Sequence, residues 1–582
     1  MLFEVKIMPY IKPMNRDQYM MCSFDQLVDP ESIARLIDAF VESVDLEKLG
    51  ATKAKPAFEG RPSYDPRDLY KLYIYGNRKG IRSSRKLQEA CRVNLEVKWM
   101  MGGAEPDFRT ISDFRKDNIS TMKKVFYEFN SRISGKVEWG FSSIDGTKIA
   151  ACNAKENNFT KNKLDDRIKW LNAHTDEYLR QIAEIDEAED EEAGLALGSL
   201  SKEELEAKLA EAQERLSRYL EYQKQMEESG ASQLSLTDAD AKLMKNKNGF
   251  IVGYNPQTAV DSNTHLIRDY QLTNQVTDHG LMNTTIDHIR QEEAGQIIEA
   301  VADKGYDDEK DMIKCLESGI IPHVILPDGK DDYELSVEYH ESEGNDDSTD
   351  PEDISACLHS GKIPEAYKDV ISDMKVIEKK QAVSQNDGSE SANRSRYGTQ
   401  EEMLERAKKG YFVRDPERNL VYCPAGEILR QKCIKSNGNI RYANKNACKH
   451  CKYRNKCYNG RNDWKEIDFN KDTLEKPCRD WLRAEGRKND IEKPTTKAKR
   501  IYEMVKYVVF KLKPDRKKME QRMCLSDHPF GTIKRSMGAD HFLLRGRRKV
   551  DGECALFFLG YNFERAKNLL GFESMMKLMS QM

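Results

Sequence analysis

The chain has 582 residues, a net charge of -4 and 33% charged residues. It contains no apolar run near the roughly 20 residues of a membrane helix, and its first residues lack the features of a signal peptide. These features argue against a membrane-spanning or exported protein and predict about three or four domains in the cytoplasm.

The charge is distributed unevenly along the chain. Acidic blocks lie at Glu184–Glu192 and Glu341–Asp353, whereas Lys493–Lys549 has an excess of about twelve positive charges. The basic segment therefore either binds nucleic acid or forms an ordinary solvated surface. Thirteen cysteines without an export signal predict thiols and metal ligands rather than disulfides.

The first part of the chain is predicted to be helical. Apolar residues recur at helical spacing from about Ser23 to Ile133, which predicts an N-terminal helical, DNA-binding domain over residues 14–135. Residues 107–133 have the charge and length of a helix-turn-helix that contacts DNA. They are equally typical of a plain helical bundle.

The rest of the chain predicts a multi-domain α/β protein. Strands alternate with helices over residues 136–330, interrupted at 163–230 by two long charged helices. This hairpin either mediates self-association into a homodimer or packs only on itself. Residues 331–400 are predicted to be an acidic mobile linker, residues 411–480 a cysteine-rich module, and residues 494–575 a C-terminal helical segment.

Two aspartates occupy strand positions that usually hold apolar residues. Asp145 lies in the strand of VEWGFSSIDGTK, and Asp303 follows IIEAVA. A buried carboxylate is costly unless its charge is compensated, and two such acids on adjacent strands suit Mg²⁺ or Mn²⁺. Taken singly, each aspartate is better explained as a strand-end cap or a turn former than as a ligand.

Four cysteines have the spacing of a zinc site. Cys448, Cys451 and Cys457 form C-x2-C-x5-C, and Cys423 precedes a predicted turn upstream. Four thiolates suit tetrahedral Zn²⁺, so the spacing predicts a structural zinc ion. The alternatives are four unrelated thiols, or Cys433 or Cys478 in place of Cys423.

Several motifs in order resemble one family. SSIDGTK, GYNPQTAVD, VADKGY and HPFGTIKRSMG, with GRPSYDPRDLYKLYIYGNRKG upstream, resemble the bacterial insertion-sequence DDE transposases of the 1182-type group. The resemblance spans most of the chain. It implies a ribonuclease-H-like catalytic domain with an insertion, which acts with divalent metal ions on the terminal inverted repeats of a mobile element and on target DNA.

The resemblance also implies the site residues. Asp145 and Asp303 match the first two catalytic acids, and Asp527 stands where the family has Glu before HPFGTIKR. Asp is one methylene shorter, which moves the carboxylate and puts activity in doubt. Pro529 suits a first helical position and would place Asp527 just outside a helix.

Basic residues near Asp527 are the candidate DNA contacts. Lys534 lies two helical turns beyond Asp527 and is a candidate catalytic and phosphate-binding residue, with Arg522 and Arg535 as further DNA contacts. Each is equally explained as a surface cation on a basic helix. Glu553 is a rival third acid, although a salt-bridged or capping role explains it better.

Three functions remain open at this point. The first is a transposase that cleaves element ends and joins 3'-hydroxyls to target DNA by two-metal phosphoryl transfer. The second is a catalytically impaired, transposase-derived protein that only binds DNA. The third is a ribonuclease-H-like nuclease without end specificity, which leaves the helical N-terminal domain and the cysteine module unexplained.

Overall fold

The computed structural model describes most of the chain. It covers residue 17 and residues 21–55, 62–153, 155–190, 201–246, 249–326, 330–342, 344–382, 399–435, 438–458, 464–491 and 502–580. The chain forms two compact units, one of Met1–Val376 with Val508–Met582 and one of Ile377–Tyr507. Among the described residues, no helix combines the length and apolar composition that a membrane span requires.

Five helices form the N-terminal part of the first unit. They are α1 (Ile33–Ser43), α2 (Pro66–Arg78), α3 (Ser84–Val93), α4 (Leu95–Met100) and α5 (Phe108–Ser134). Each begins after a Ser, Asp or Asn whose side chain accepts a hydrogen bond from a backbone N–H of the first turn. Because α5 is one continuous helix, the helix-turn-helix interpretation of residues 107–133 is wrong and the helical bundle fits.

A seven-stranded mixed sheet follows the helices. The elements of this part of the chain are, in order, β1 (Ser142–Gly146), β2 (Ile149–Ala150), β3 (Asn158–Thr160), α6 (Lys161–Asp190), α7 (Lys202–Ser229), β4 (Gln233–Ser235), β5 (Lys242–Asn246), β6 (Gly249–Asp261), β7 (Ile267–Thr273), α8 (Met282–Thr285), α9 (Asp287–Glu292), β8 (Ile298–Ala302), α10 (Glu309–Glu317) and β9 (Ile320–Val324). The sheet contains β1, β2 and β5 to β9, whereas β3 and β4 form a separate pair. In the sheet, β7, β6, β1, β8 and β9 lie side by side in that order, and the first half of β6 also pairs with β2 and β5. Strand β6 runs antiparallel to β1 and β7, whereas β1, β8 and β9 are parallel.

The helical hairpin is present as an insertion between β3 and β4. Helices α6 and α7 pack along each other, and β3 and β4 pair antiparallel where the two helices meet the rest of the unit. Trp170, Leu179 and Leu220 are exposed on the two helices.

Both faces of the main sheet are covered by hydrophobic cores. Adjacent residues of β6 alternate between them, because successive strand side chains point to opposite faces. Val260 belongs to the core that contains the N-terminal helices, and Ala259 belongs to the core that contains α10 and β9. The strand ends between these layers are therefore held on both sides.

Residues 333–382 form regular structure where the sequence predicts a linker. They contain β10 (Tyr333–Glu338), α11 (Pro351–Ser360) and β11 (Ile371–Ala382). Leu335, Ile354 and Leu358 are buried in the same core as β9. The linker prediction is therefore wrong for this segment, since it overlooked apolar residues spaced among acidic ones; residues 383–398 lie outside the described residues.

The second unit contains the cysteine-rich module. Its elements are α12 (Gln400–Lys408), β12 (Tyr411–Asp415), β13 (Leu420–Tyr422), β14 (Ile428–Ile434), β15 (Ile440–Ala443), α13 (Lys445–Lys449), α14 (Arg454–Cys457), β16 (Glu466–Phe469), β17 (Glu475–Pro477), α15 (Arg479–Ala484) and α16 (Lys488–Ile491). The six strands form an antiparallel sheet in the order β16, β15, β14, β13, β12, β17. A small core that includes Phe412, Tyr442 and Phe469 stabilises it.

The C-terminal segment begins with a strand and not with a helix. It contains β18 (Tyr502–Leu512), α17 (Arg516–Arg535), α18 (Arg547–Leu570) and α19 (Phe572–Met579), and β18 lies between β10 and β11 in a three-stranded sheet. Val508, Phe510 and Leu512 enter one core, a spacing of two residues that is typical of a strand. The all-helical prediction for residues 494–575 is therefore wrong at β18.

Candidate acidic site

The register of two parallel strands brings Asp145 and Asp303 together. Ser142 of β1 lies opposite Ala300 of β8, and Ser143 lies opposite Val301. Continuing that register by two residues places Asp145 level with Asp303, which directly follows β8. Neighbouring strands are about 4.8 Å apart, so the two side chains emerge at one edge of the sheet.

Asp145 has a half-buried carboxylate that is only partly compensated, and its Oδ1 accepts a hydrogen bond of 2.8 Å from the backbone N–H of Gly146. Its side chain is 21% exposed, and its Oδ2 lies 3.8 Å from Nη1 of Arg522. Burial raises the pKa of Asp145 to about 7; the Arg522 charge opposes this rise, and the charges of Asp303 and Asp278 add to it. Asp145 is thus held close to other acids in a poorly hydrated position.

Asp303 is also the cap of a short turn. Its Oδ1 accepts a hydrogen bond of 2.7 Å from the backbone N–H of Gly305 at the start of the 3-10 helix Lys304–Tyr306. The strand-end cap that the sequence allowed for Asp303 is therefore present. It does not compete with the acidic grouping, because a carboxylate has further lone pairs.

A third acid, Asp278, belongs to the same site and was missed from the sequence. It lies in the loop after β7, and its Oδ1 accepts hydrogen bonds from Asn255 Nδ2 at 2.7 Å and Gln257 Nε2 at 2.8 Å. A signal was available, since Asn255 and Gln257 alternate along β6 in the motif GYNPQT and place two amides on one face. Asp145, Asp278 and Asp303 are called the acidic group below.

Tyr306 confirms how closely these acids lie together. Its hydroxyl donates a hydrogen bond to Oε1 of Gln257, and the side chain is 1% exposed. Burial raises its pKa well above the usual value, and the charges of Asp278, Asp145 and Asp303 raise it further. All three carboxylates therefore act on one buried hydroxyl.

Gly146 allows the amide side chains to approach β1. A Cβ atom at this position would lie 2.2 Å from Nε2 of Gln257 and 2.9 Å from Oδ1 of Asn255. Any larger residue would push these amides away from Asp278. In the Asp-Gly pair of SSIDGTK, the glycine therefore has a steric role that is separate from the role of the acid.

Helix α17 packs across β1 next to the acidic group. Ser526 shares a hydrogen bond of 2.7 Å with Ser143, and Arg522, one turn earlier, contacts Asp145. Arg522 was predicted to contact DNA; in this structure it faces the first acid. Its Nε is buried without a hydrogen-bond partner.

The third predicted acid, Asp527, points elsewhere. Pro529 lies inside α17, so the expectation that Asp527 precedes the helix is wrong. Five residues at 100° each place Asp527 about 140° around the helix axis from Arg522. Asp527 is exposed, and it does not appear among the charges that dominate the pKa of Asp145.

The predicted basic contacts differ in their surroundings. Lys534 Nζ donates to Thr147 Oγ1 and, at 3.2 Å, to the carbonyl of Lys148, so it anchors the loop after β1. Arg535, at the end of α17, is exposed.

Glu553 is a structural residue in this fold. It is 3% exposed, pairs with Arg82 at 2.9 Å and accepts backbone hydrogen bonds of 3.1 Å from Leu543 and Leu544. Its carboxylate is therefore satisfied by the protein, as a salt-bridged cap would be.

The predicted zinc ligands gather without forming a metal site. Cys423, Cys448, Cys451 and Cys457 line one pocket of the second unit. Cys457 Sγ lies 3.7 Å from Sγ of Cys478, and burial raises the pKa of Cys423 to about 11. These four residues and Cys478 are called the cysteine group below; Cys433, the other substitute considered, is exposed.

Neither predicted ligand set is closed around an ion position. Within the described ranges, no three or more His, Cys, Asp or Glu side chains are arranged so that they could hold a metal ion. The prediction of a structural zinc ion is therefore not supported, because C-x2-C-x5-C spacing brings thiols near one another without setting their directions.

Family models match three parts of the chain. A model described as "Transposase domain (DUF772)" matches residues 22–117, and two models described as "Transposase DDE domain" match residues 227–379 and 422–566. Asp278 and Asp303 lie in the second range and Asp527 in the third, whereas Asp145 lies between the first two.

The other comparisons add no relatives. No curated protein and no solved structure matches the chain. The family models do not separate groups of transposases, so the 1182-type assignment stays a prediction. The three matches occur in one chain around an acidic group at a sheet edge, and the chain belongs to the DDE transposases of insertion sequences, enzymes that act on DNA.

Proposed function

We propose that Asp145 and Asp303 hold divalent cations, Mg²⁺ or Mn²⁺, with which the enzyme cleaves element ends and joins 3'-hydroxyls to target DNA. The observation that carries this proposal is the register of β1 and β8, which places both acids at one sheet edge. The strand order β7, β6, β1, β8, β9, with only β6 antiparallel to its neighbours, supports a ribonuclease-H-like domain.

The residues present fit such a cation. Asp145 is half-buried, and its ion pair with Arg522 is a long contact of 3.8 Å. When burial destabilises the charged form of a carboxylate, a bound divalent cation stabilises that form the most. Carboxylate oxygens are also the ligands that Mg²⁺ prefers.

The chain's own residues position the reaction. A pair of bound divalent cations would supply Lewis acidity to the attacking and leaving oxygens of a phosphodiester. Asp145 and Asp303 orient that chemistry toward the sheet edge. Arg522 lies where its guanidinium can leave Asp145 and bind a phosphate of the DNA.

A further proposed DNA contact is a basic residue whose side chain is exposed. Arg535 is exposed at the end of α17 and is assigned to the DNA backbone. Lys534 contributes by holding the loop that follows Asp145. The DNA partners are the terminal inverted repeats and the target; the exposed apolar side chains Trp170, Leu179 and Leu220 of the α6–α7 hairpin support a homodimer that joins two ends.

A second candidate function rests on Asp527. This residue is exposed and lies outside the acidic group. If the reaction needs a third acid from α17, that helix must rotate when DNA binds. If it does not rotate, the protein binds element ends without cutting them. The impaired, DNA-binding alternative is therefore kept beside the enzyme.

The test is a strand-cleavage assay with purified full-length protein, cloned element ends and Mg²⁺. We expect Asp145→Asn and Asp303→Asn each to reduce cleavage by at least about a hundredfold while end binding persists. Asp527→Asn tests the third acid, and Glu553→Gln reports the cost of a structural carboxylate through a lower melting temperature.

Two results would change the conclusion. Wild-type protein that binds ends without cutting them in either Mg²⁺ or Mn²⁺ would favour the impaired alternative. Cleavage that survives Asp145→Asn would remove the acidic group from the reaction.

A further inference from the structure

The two carboxylate oxygens of Asp278 have different surroundings: Oδ1 is hydrogen-bonded within the protein, whereas Oδ2 faces the other acids of the group. Oδ1 accepts both amide hydrogen bonds, from Asn255 and Gln257. A Cβ atom built on Gly305 would lie 2.9 Å from Oδ1 of Asp303 and 3.6 Å from Oδ2 of Asp278. The two acids therefore flank the same point at the end of β8.

A buried acceptor without a partner lies beside them. Asn255 is 1% exposed, and because its Nδ2 donates to Asp278, the orphan atom is its Oδ1. This oxygen approaches the backbone of Gly146, next to Asp145. A buried acceptor usually has a hydrogen-bond donor, so the site is built for a donor that the chain does not provide.

Water on a cation would provide that donor. Among the described residues, the three carboxylates of the acidic group are not arranged as a set that could hold a metal ion by themselves. Mg²⁺ keeps several of its waters when it binds proteins, and those waters donate hydrogen bonds. Partners that act through such contacts change metal affinity by about 10–100-fold.

We propose that Asp278 is a binding residue of the cation site, which accepts hydrogen bonds from metal-bound water through Oδ2 while Asn255 and Gln257 hold its Oδ1. Asn255 Oδ1 accepts from the same hydrated ion. This rests on the proposed function, since it assumes that Asp145 and Asp303 bind the cation.

The first experiment measures Mn²⁺ binding to the full-length protein without DNA, from the electron paramagnetic resonance signal of free Mn²⁺. We expect Asp278→Asn to weaken binding about tenfold or more. Asp278→Glu, which keeps the charge, restores part of it. Asp307→Asn is the matched control, because Asp307 lies near the same turn but does not contact Asn255 or Gln257, and it leaves affinity within about twofold.

The second experiment begins with the wild-type protein, for which the result does not depend on how a variant folds, and then repeats the measurement on Asp278→Asn. Cobalt(III) hexaammine is an inert, donor-rich mimic of a hydrated cation. We expect it to compete with Mn²⁺ for the wild-type site and to lose at least part of that competition in Asp278→Asn.

The outcomes separate the two proposals. If Asp145→Asn abolishes Mn²⁺ binding while Asp278→Asn matches the wild type, or if cobalt hexaammine does not compete, the role of Asp278 is wrong and the cation site stands. If Asp145→Asn also binds as the wild type does, the cation site itself is wrong.

Discussion

The acidic group and the cysteine group were both predicted to bind metal, and the structure satisfies their side chains differently. In the acidic group, Asp145 is half-buried near two like charges and has a long contact to one cation. In the cysteine group, Cys457 and Cys478 pair with each other, and Cys423 is buried as a neutral thiol would be. The first is electrostatically costly, whereas the second is not.

This difference distinguishes a charged group that the protein leaves uncompensated from groups whose surroundings already suit them. A cost that folding does not relieve marks a place where a ligand can relieve it. The buried thiols of Cys423 and Cys478 belong to a hydrophobic core of the second unit, so their replacement should reduce stability. Replacement of Asp145 by a neutral residue should do the reverse.

The largest expected effect is on stability at Asp145. Because the folded pKa is raised from 3.8 to about 7, the protonated carboxyl stabilises the fold below about pH 4, and this contribution is lost as pH rises through 7. Asp145→Asn should therefore be more stable than wild type by about 4 kcal/mol at pH 8 without metal, and equal near pH 4. Thermal unfolding with a chelator at both pH values measures this. Equal stability at pH 8 would contradict it.

The next effect concerns Gly146. Gly146→Ala places a methyl group against Gln257 and Asn255, which are held by Asp278, and should cost roughly 2 kcal/mol of stability as well as cleavage activity. Gly135→Ala is the control, because nothing lies within 4 Å of its added methyl. Urea unfolding compares the two; similar losses at both positions would show that the contact is unimportant.

A smaller effect is the pH dependence of cation binding. Metal binding must release the proton of Asp145 below pH 7, so Mn²⁺ affinity should rise by up to about tenfold per pH unit between pH 5 and 7 and level off above. Calorimetry in buffers of different ionisation enthalpy would count the released proton. Affinity that does not change over this range would place the cation away from Asp145.

The smallest effect belongs to the cysteine group. Cys478 is 1% exposed, so Cys478→Ala should lower stability by about 1 kcal/mol, whereas the exposed Cys433→Ala should change it by less than about 0.5 kcal/mol. Thermal unfolding in a reducing buffer gives both values. A much larger loss, together with thiol-bound metal in the purified protein, would overturn the distinction between the two groups.

The sequence predicted one acid pair and missed its surroundings for a physical reason. Asp145 and Asp303 stand out because acids rarely occupy strand positions, and the resemblance to the DDE transposases distinguishes them from ordinary strand-end caps. Asp278 lies in a loop, where Asp is common, and only the pairing of β6 with β1 and β7 brings it to the site. Such non-local pairing leaves no mark near Asp278 in the sequence.

The helical elements show the same limit. The spacing of apolar residues predicts the N-terminal helical domain and the two long helices at 163–230, but it also predicts an amphipathic helix at YVVFKL, where basic and apolar residues alternate. The direction of Asp527 depended on whether Pro529 begins α17 or lies within it, and tertiary packing decided that question.

The aromatic contacts between α5 and α18 have a consequence for synthesis. Phe563 of α18 packs against Phe129 of α5 at 4.3 Å between ring centroids and against Phe40 of α1 at 5.5 Å. During translation, α1 and α5 emerge from the ribosome hundreds of residues before α18. Their apolar faces therefore remain unpacked until α18 has been synthesised. A prematurely terminated chain would therefore leave these apolar faces exposed and would be a substrate for chaperones and proteases.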